Sequence, residues 1–226
     1  MAQLVEPKPL KLSVLMPVWN EETSVEDIVR RVAGIDTSHL SRPVELEIIA
    51  VDDFSTDRST DILSRLHGGP AEAPGEGPRS GLDPAQLPGL RVIRHPFNQG
   101  KGAGIRTALA AATGDYCIIQ DADYEYDPAD IPRLLEPIVS GKATVVYGAR
   151  PLDGSGGRLV MDAGNRALTI LTNVLYGTRL HDMETCYKLL PTELLRSFNL
   201  ECSRFDMEPE ITAKARRSGY QIFEIP

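Results

Sequence analysis

Short apolar runs that each end in a polar cluster constrain this chain more than any other feature. Residues 11–18, 44–51 and 115–120 have the apolar, partly β-branched character of buried strands, and helical segments lie between them. Strand, helix, strand, helix is the pattern of a largely parallel sheet with helices on both faces, so a Rossmann-like single-domain α/β fold is expected. Helices are predicted from Thr23-Ser24-Val25-Glu26, read as a capping box, to about Gly34, then to about His67, over 100–112, and from Asp127-Pro128 to near Gly141. Further strands are predicted at 90–94 and 143–147, and further helices at 159–176 and 208–217. Residues 153–157 read as a mobile loop. Residues 68–89, half glycine and proline, read as a flexible surface insertion.

A chain of 226 residues, 42% hydrophobic and 25% charged, suits one large globular domain. Residues 1–10 form a polar N-terminal tail and 11–226 the domain. The net charge of -8 excludes a dedicated nucleic-acid binder, because no basic cluster offsets it. An anionic ligand must be held by a metal, a helix N-terminus or single arginines. Cys117, Cys186 and Cys202 are widely spaced and odd in number, fitting neither a zinc site nor a disulfide framework, which implies a reducing cytoplasmic setting. No signal-peptide core or membrane-length apolar stretch is present. The last residues, 222–226, read as part of a strand, and more chain is expected to follow.

In open α/β sheets ligands collect at the carboxyl ends of the strands. Five clusters fall there: Pro17-Val18-Trp19-Asn20-Glu21, Val51-Asp52-Asp53, Asn98-Gln99-Gly100-Lys101-Gly102, Asp121-Ala122-Asp123 and Gly148-Ala149-Arg150. Asp121 and Asp123 follow a strand, with Ala122 keeping the space between them small. Two hard oxygen ligands suit Mg²⁺ or Mn²⁺, which commonly combine one or two carboxylates with substrate phosphates, so a nucleoside diphosphate is the expected ligand. Glycines 100, 102 and 104 match neither a dinucleotide fingerprint nor a Walker sequence. The Gly-Lys turn can still offer backbone N–H groups and an ammonium to a phosphate.

These motifs, in this order, resemble family 2 inverting glycosyltransferases, and within them the dolichyl-phosphate mannose synthase and polyprenyl-phosphate glycosyltransferase branch. The resemblance runs from about Leu12 to the last residue. It implies a GT-A fold, a UDP- or GDP-sugar donor, Mg²⁺ or Mn²⁺, and a lipid-phosphate acceptor met at the cytoplasmic face of a membrane. It implies that Pro17, Trp19, Glu21 and Asp53, with Val51 beside them, hold base and ribose. Lys101 and Gly102 would lie by the diphosphate. Asp121, Ala122 and Asp123 would serve ribose, diphosphate and metal, with Glu125 a further metal ligand. Arg150 would approach donor or acceptor phosphates. Asp182, in Asp182-Met183-Glu184-Thr185-Cys186-Tyr187-Lys188, would lie near the catalytic centre, and the segment around Glu208 and Glu210 would begin a helix lining it. Arg158 and Arg166 are further candidates for an acceptor phosphate. A phosphate acceptor is already an anionic nucleophile at neutral pH. A sugar hydroxyl, the alternative acceptor, would need a carboxylate base, and a third reading is a nucleotide-sugar binding module without catalysis. Because Trp19 is the only tryptophan, the Q-x-x-R-W signature of processive synthases is missing.

Overall fold

The computed structural model of the chain describes residues 8–77, 87, 89–150, 159–202 and 206–226. The predicted loop at 153–157, Arg158 and most of residues 78–88 lie outside these. The first half alternates as the residue pattern predicts: β1 (Leu10–Val18), α1 (Val25–Ala33), β2 (Val44–Asp52), α2 (Ser59–His67), β3 (Leu90–Arg94), α3 (Lys101–Ala111) and β4 (Tyr116–Ile119). A 3-10 turn at Pro128–Asp130 then leads into α4 (Ile131–Val139). It is followed by β5 (Val145–Gly148), α5 (Leu159–Tyr176), β6 (Lys188–Pro191), α6 (Thr192–Ser197), α7 (Met207–Arg217) and β7 (Ile222–Ile225).

Among the described residues the strands form one sheet in the order β3-β2-β1-β4-β6-β5-β7. All neighbouring pairs are parallel except those made by β6, which runs antiparallel to both β4 and β5. Leu12, Val14, Leu15 and Met16 of β1 are all fully buried. Consecutive side chains point to opposite faces, so both faces of the sheet are covered. Each such side chain contributes roughly 1.5–3 kcal/mol on burial.

Two features of this topology make a site. The chain builds β1, β2 and β3 outward in one direction and then crosses to place β4 on the other side of β1, which opens a crevice between the carboxyl ends of β1 and β4. The reversed β6 then brings its amino end, not its carboxyl end, to that same rim, and with it residues 182–187. The sequence does not single out β6: four residues opening with a lysine carry too little pattern to be read as a strand.

Some local expectations are corrected. The capping box at Thr23–Glu26 is not formed. Ser24 N and Val25 N both donate to Glu21 O, and Ser24 Oγ donates to Glu21 Oε2 at 2.9 Å, while Glu26 pairs with Arg30 and Arg65. The helix is thus entered through a backbone turn on Glu21, with the Ser24 hydroxyl and the Glu26 carboxylate both engaged elsewhere. The beginning of the predicted flexible insertion is anchored to β3: Glu72 N donates to Val92 O, Arg94 N donates to Glu72 O, and the buried Glu72 carboxylate meets Arg91 at 2.6 Å. Helix α5 is inverted in polarity. Thr169 and Thr172 are buried, whereas Leu168, Ile170, Leu171, Val174 and Leu175 face outward.

Candidate active site at the carboxyl rim of the sheet

At the end of β1 the chain turns through Asn20, held at φ 57°. Its backbone N–H donates to Ser55 Oγ at 3.0 Å, and its Oδ1 accepts from Thr56 N at 2.8 Å. The strand ends of β1 and β2 are therefore tied together, with Phe54 also at positive φ, 64°. A left-handed conformation at a bulky residue is costly and persists only where the surroundings impose it. Trp19 projects outward, 55% exposed. Glu21 is partly buried. Burial raises its pKa, and Asp123, Asp121 and Asp57 add to the rise, against a lowering bond from Ser24.

Asp52 and Asp53, both buried, turn to the protein. Asp52 accepts from Ser55 N at 2.9 Å and Thr60 Oγ1 at 2.6 Å, and Arg94 Nε lies 3.2 Å away. Asp53 Oδ1 is 2.7 Å from His95 Nδ1 and accepts from Gln99 N at 2.8 Å, while Oδ2 accepts from Gly100 N at 2.7 Å. The 98–100 turn is thus built on one buried carboxylate. Gly100, at φ 93°, provides the left-handed step that launches α3. A Cβ on Gly104 would come to 3.2 Å from Pro17 Cβ, so glycine is what lets α3 approach the end of β1. The turn delivers Lys101, whose ammonium lies 2.9 Å from Asp121 Oδ2 and 3.1 Å from Glu208 Oε1. Burial works against that charge, but the negative groups around it, Asp121 and Glu208 among them, hold it protonated.

Strand β4 ends at Ile119, so Asp121 and Asp123 lie in the turn beyond it rather than in extended chain. Asp123 Oδ1 accepts from Glu125 N at 2.9 Å, closing the turn. Burial raises the Asp123 pKa, and Asp121 and Glu125 raise it further, so the carboxylates are close enough to repel. Glu125 Oε1 instead accepts from Arg150 at 2.9 Å. Among the described residues no three His, Cys, Asp or Glu side chains form a metal cluster, so the expected trio of Asp121, Asp123 and Glu125 is not preassembled. The donor chemistry still fits a hard divalent cation: two crowded carboxylates, Asp121 held on one oxygen by the Lys101 ammonium and Asp123 with one oxygen taken by a backbone N–H.

Across the crevice Arg150, just after β5, forms a fork with Asp182, Nε to Oδ2 at 2.7 Å and the terminal nitrogen to Oδ1 at 3.0 Å. This pairing raises the guanidinium pKa, against burial. Glu224 of β7 holds the loop from behind, accepting from His181 N and Asp182 N. Beneath it lies Lys188, fully buried, its ammonium bonded to Met183 O at 2.8 Å and to Thr185 O and 4.6 Å from the Tyr147 ring centroid. Burial pushes its pKa down to about 8.

The rim thus gathers Pro17, Trp19, Glu21, Val51, Asp53, Lys101, Gly102, Asp121, Ala122, Asp123, Glu125, Arg150 and Asp182. Glu208 joins through Lys101. Glu210 does not: it accepts from Glu201 N and Cys202 N and pairs with Lys214. Arg166 sits on the exposed side of α5. Lys188 went unassigned in the sequence, because the four residues of β6 carry too little pattern to mark their first lysine as buried.

A mostly parallel sheet covered on both faces, with acidic and basic side chains collected at a strand-order reversal, defines an α/β domain with a charged crevice at its switch point. The fold is GT-A: glucosyl-3-phosphoglycerate synthase from Mycobacterium tuberculosis, crystallised with Mn²⁺ and UDP-glucose, superposes with a TM-score of 0.63 at 20% identity, over 95% of this chain and 68% of that one. The chain belongs to glycosyl transferase family 2, whose model matches residues 13–198. Among curated relatives, the dodecaprenyl-phosphate galacturonate synthase of Rhizobium johnstonii is 28% identical over 87% of this chain and 53% of its own length. The undecaprenyl-phosphate 4-deoxy-4-formamido-L-arabinose transferase of Edwardsiella ictaluri is 33% identical over 58% of this chain and 34% of its own. The chain spans about half or less of the length of these two.

Proposed function

We propose that this domain transfers a hexose, or an N-acetylated hexose, from a nucleotide sugar to a polyprenyl or dolichyl phosphate, with inversion and with the help of Mg²⁺ or Mn²⁺. One observation carries the choice of acceptor: both oxygens of Asp182 are committed to the Arg150 fork. Asp182, one of the carboxylates that the sequence offers to a hydroxyl acceptor, is therefore occupied, and Glu210 is paired with Lys214. A phosphate monoester needs no base, since its second pKa is about 6, and a guanidinium held rigidly at the rim matches it in charge and geometry.

On this reading Trp19 stacks on the base, Glu21 and Asp121 face the ribose, and Lys101 with the start of α3 meets the diphosphate. Asp53 acts through the turn it holds. A divalent cation, bound by Asp121 and Asp123 with Glu125 nearby, would supply Lewis-acid stabilisation of the departing diphosphate. Arg150 aligns the acceptor phosphate for attack on the face of the anomeric carbon opposite the leaving group, and Asp182 keeps the guanidinium in place. The names of the relatives support a polyprenyl-phosphate acceptor.

Among the described residues no helix is long and apolar enough to cross a membrane. The outward-facing Leu168, Ile170, Leu171, Val174 and Leu175 of α5 favour peripheral contact with the cytoplasmic surface of one, where a polyprenyl chain would be anchored. Calorimetric titration with UDP and GDP, each with Mn²⁺ and with a chelator, tests the donor site. Metal-dependent binding of one nucleotide that disappears in Asp123→Ala is expected. Transfer from the matching nucleotide sugar to a short-chain polyprenyl phosphate then tests the acceptor, and product formed only with sugar hydroxyls would refute it.

A further inference from the structure

Two carboxylate oxygens at the rim are buried and have no hydrogen-bond partner among the described residues: Oε2 of Glu208 and Oε1 of Glu184. Glu208 is 5% exposed. Its Oε1 is 3.1 Å from Lys101 Nζ, and the same ammonium is 2.9 Å from Asp121 Oδ2. The carboxylates of Glu208 and Asp121 are therefore separated by no more than those two contacts laid end to end, which puts Glu208 on the wall of the donor crevice.

Glu184 lies in the loop that β6 carries to the rim, between the two carbonyls that Lys188 binds. Lys188 is electrostatically coupled to both glutamates, yet its hydrogen bonds go to Met183 O and Thr185 O. It moderates their charge without capping either oxygen. Buried polar atoms in folded proteins are almost always paired, and an exception calls for a ligand or another physical account.

An ionised carboxylate only accepts hydrogen bonds, so the partner must bring donors. It cannot bring negative charge, since Asp121, Asp182, Glu184 and Glu208 already crowd this wall. Lys101 already stands between Glu208 and Asp121. A neutral, donor-rich group fits, and a hexose is such a group. We infer that Glu208 and Glu184 form the sugar pocket of the site, accepting hydrogen bonds from hydroxyl groups of the hexose carried by the nucleotide. The inference rests on the nucleotide-sugar reading above and locates the part of the site that recognises the sugar.

Glu208→Gln is the discriminating variant. Its amide oxygen can keep the contact to Lys101, while its NH₂ replaces the acceptor that would meet a hydroxyl. The experiment is calorimetry with Mn²⁺ on the wild-type chain, Glu208→Gln and Glu184→Gln. The ligands are UDP, GDP, UDP-glucose, UDP-N-acetylglucosamine and GDP-mannose, with melting temperatures recorded for each protein.

Affinity of each variant for the bare nucleotide should not fall, because each substitution removes a negative charge from a wall that repels the diphosphate. Affinity for the preferred nucleotide sugar should fall about tenfold to a hundredfold, as for loss of a hydrogen bond to a charged group. Equal weakening of bare nucleotide and nucleotide sugar would show that Glu208 serves only to orient Lys101 and would overturn the inference. So would wild-type affinity for the sugar nucleotide in both glutamine variants. A wild-type chain that binds none of these ligands would instead refute the donor reading itself, and the inference with it.

Discussion

Replacing Asp53 by asparagine separates two ways in which a rim carboxylate can matter. The native side chain is buried and accepts three short bonds, from His95 Nδ1 at 2.7 Å, Gln99 N at 2.8 Å and Gly100 N at 2.7 Å. In Asp53→Asn the amide oxygen can keep the pair at Oδ1, but the NH₂ group must then face Gly100 N–H. One charge-assisted bond, worth about 1.5–3 kcal/mol, is lost, and a buried donor is left facing another donor at a cost of about 1–3 kcal/mol. With partial relaxation, about 3 kcal/mol of destabilisation is expected. For a domain of this size that is roughly 6–12 °C in melting temperature. The 98–100 turn should loosen with it, and nucleotide affinity should fall because Lys101 is no longer delivered to Asp121. Differential scanning calorimetry gives the first quantity and nucleotide titration the second. Unchanged melting with lost nucleotide binding would refute the argument and make Asp53 a direct ligand contact.

Arg150→Ala leaves the Asp182 carboxylate, 8% exposed, without its cation. Because the arginine itself is partly solvated, about 2 kcal/mol of destabilisation in urea unfolding is expected, less than for a fully buried pair, and no change would show the fork to be energetically idle. For Glu210, Lys214 and the N–H groups of Glu201 and Cys202 outweigh burial and lower its pKa to about 2 from 4.5. A depressed carboxylate contributes stability that is complete above pH 4.5 and lost as pH falls toward 2, so wild type should lose stability relative to Glu210→Gln across that window, and parallel curves would contradict the assignment. Lys188 has its pKa pushed from 10.5 down to about 8 by burial. The folded state then binds fewer protons than the unfolded one between pH 8 and 10.5, so wild type should gain stability relative to Lys188→Met as pH rises through that interval, and a flat difference would show that the ammonium is not desolvated.

The alternation of strands and helices was legible because β1, β2 and β4 are apolar runs buried on both faces, and such runs carry their own signal. The rim clusters were legible for the same reason, since the end of each run marks where a side chain leaves the core. What sequence left open depends on which partner a polar group takes. Asp53 reads as a base-and-ribose residue and Asp182 as one near the catalytic centre, and the partners that tertiary structure gives them, the 98–100 turn and Arg150, are set by segments distant in sequence. Ser24 reads as part of a capping box, but Glu21 supplies the turn and accepts its hydroxyl. The reversal of β6 was invisible in a four-residue strand, although it decides that residues 182–187 reach the rim at all.

The charge balance of that rim bears on the metal independently of any likeness. Asp121, Asp123, Glu125, Asp182, Glu184 and Glu208 stand against Lys101, Arg150 and Lys188. Burial, reinforced by acidic neighbours, raises the pKa of both Asp123 and Glu184. A pocket already short of positive charge cannot gain a diphosphate by electrostatics alone, because each phosphate adds to the repulsion that these shifts record. Arg150 and Lys101 do not close the deficit, since each is already shared between two carboxylates. Binding of a nucleoside diphosphate here therefore requires either protonated carboxylates or an accompanying cation. The two routes differ in their pH dependence: a proton-assisted site would bind more tightly as pH falls from 7 to 5, whereas a cation-assisted one would weaken as its carboxylates protonate. Measuring nucleotide affinity against pH, with and without Mn²⁺, distinguishes them.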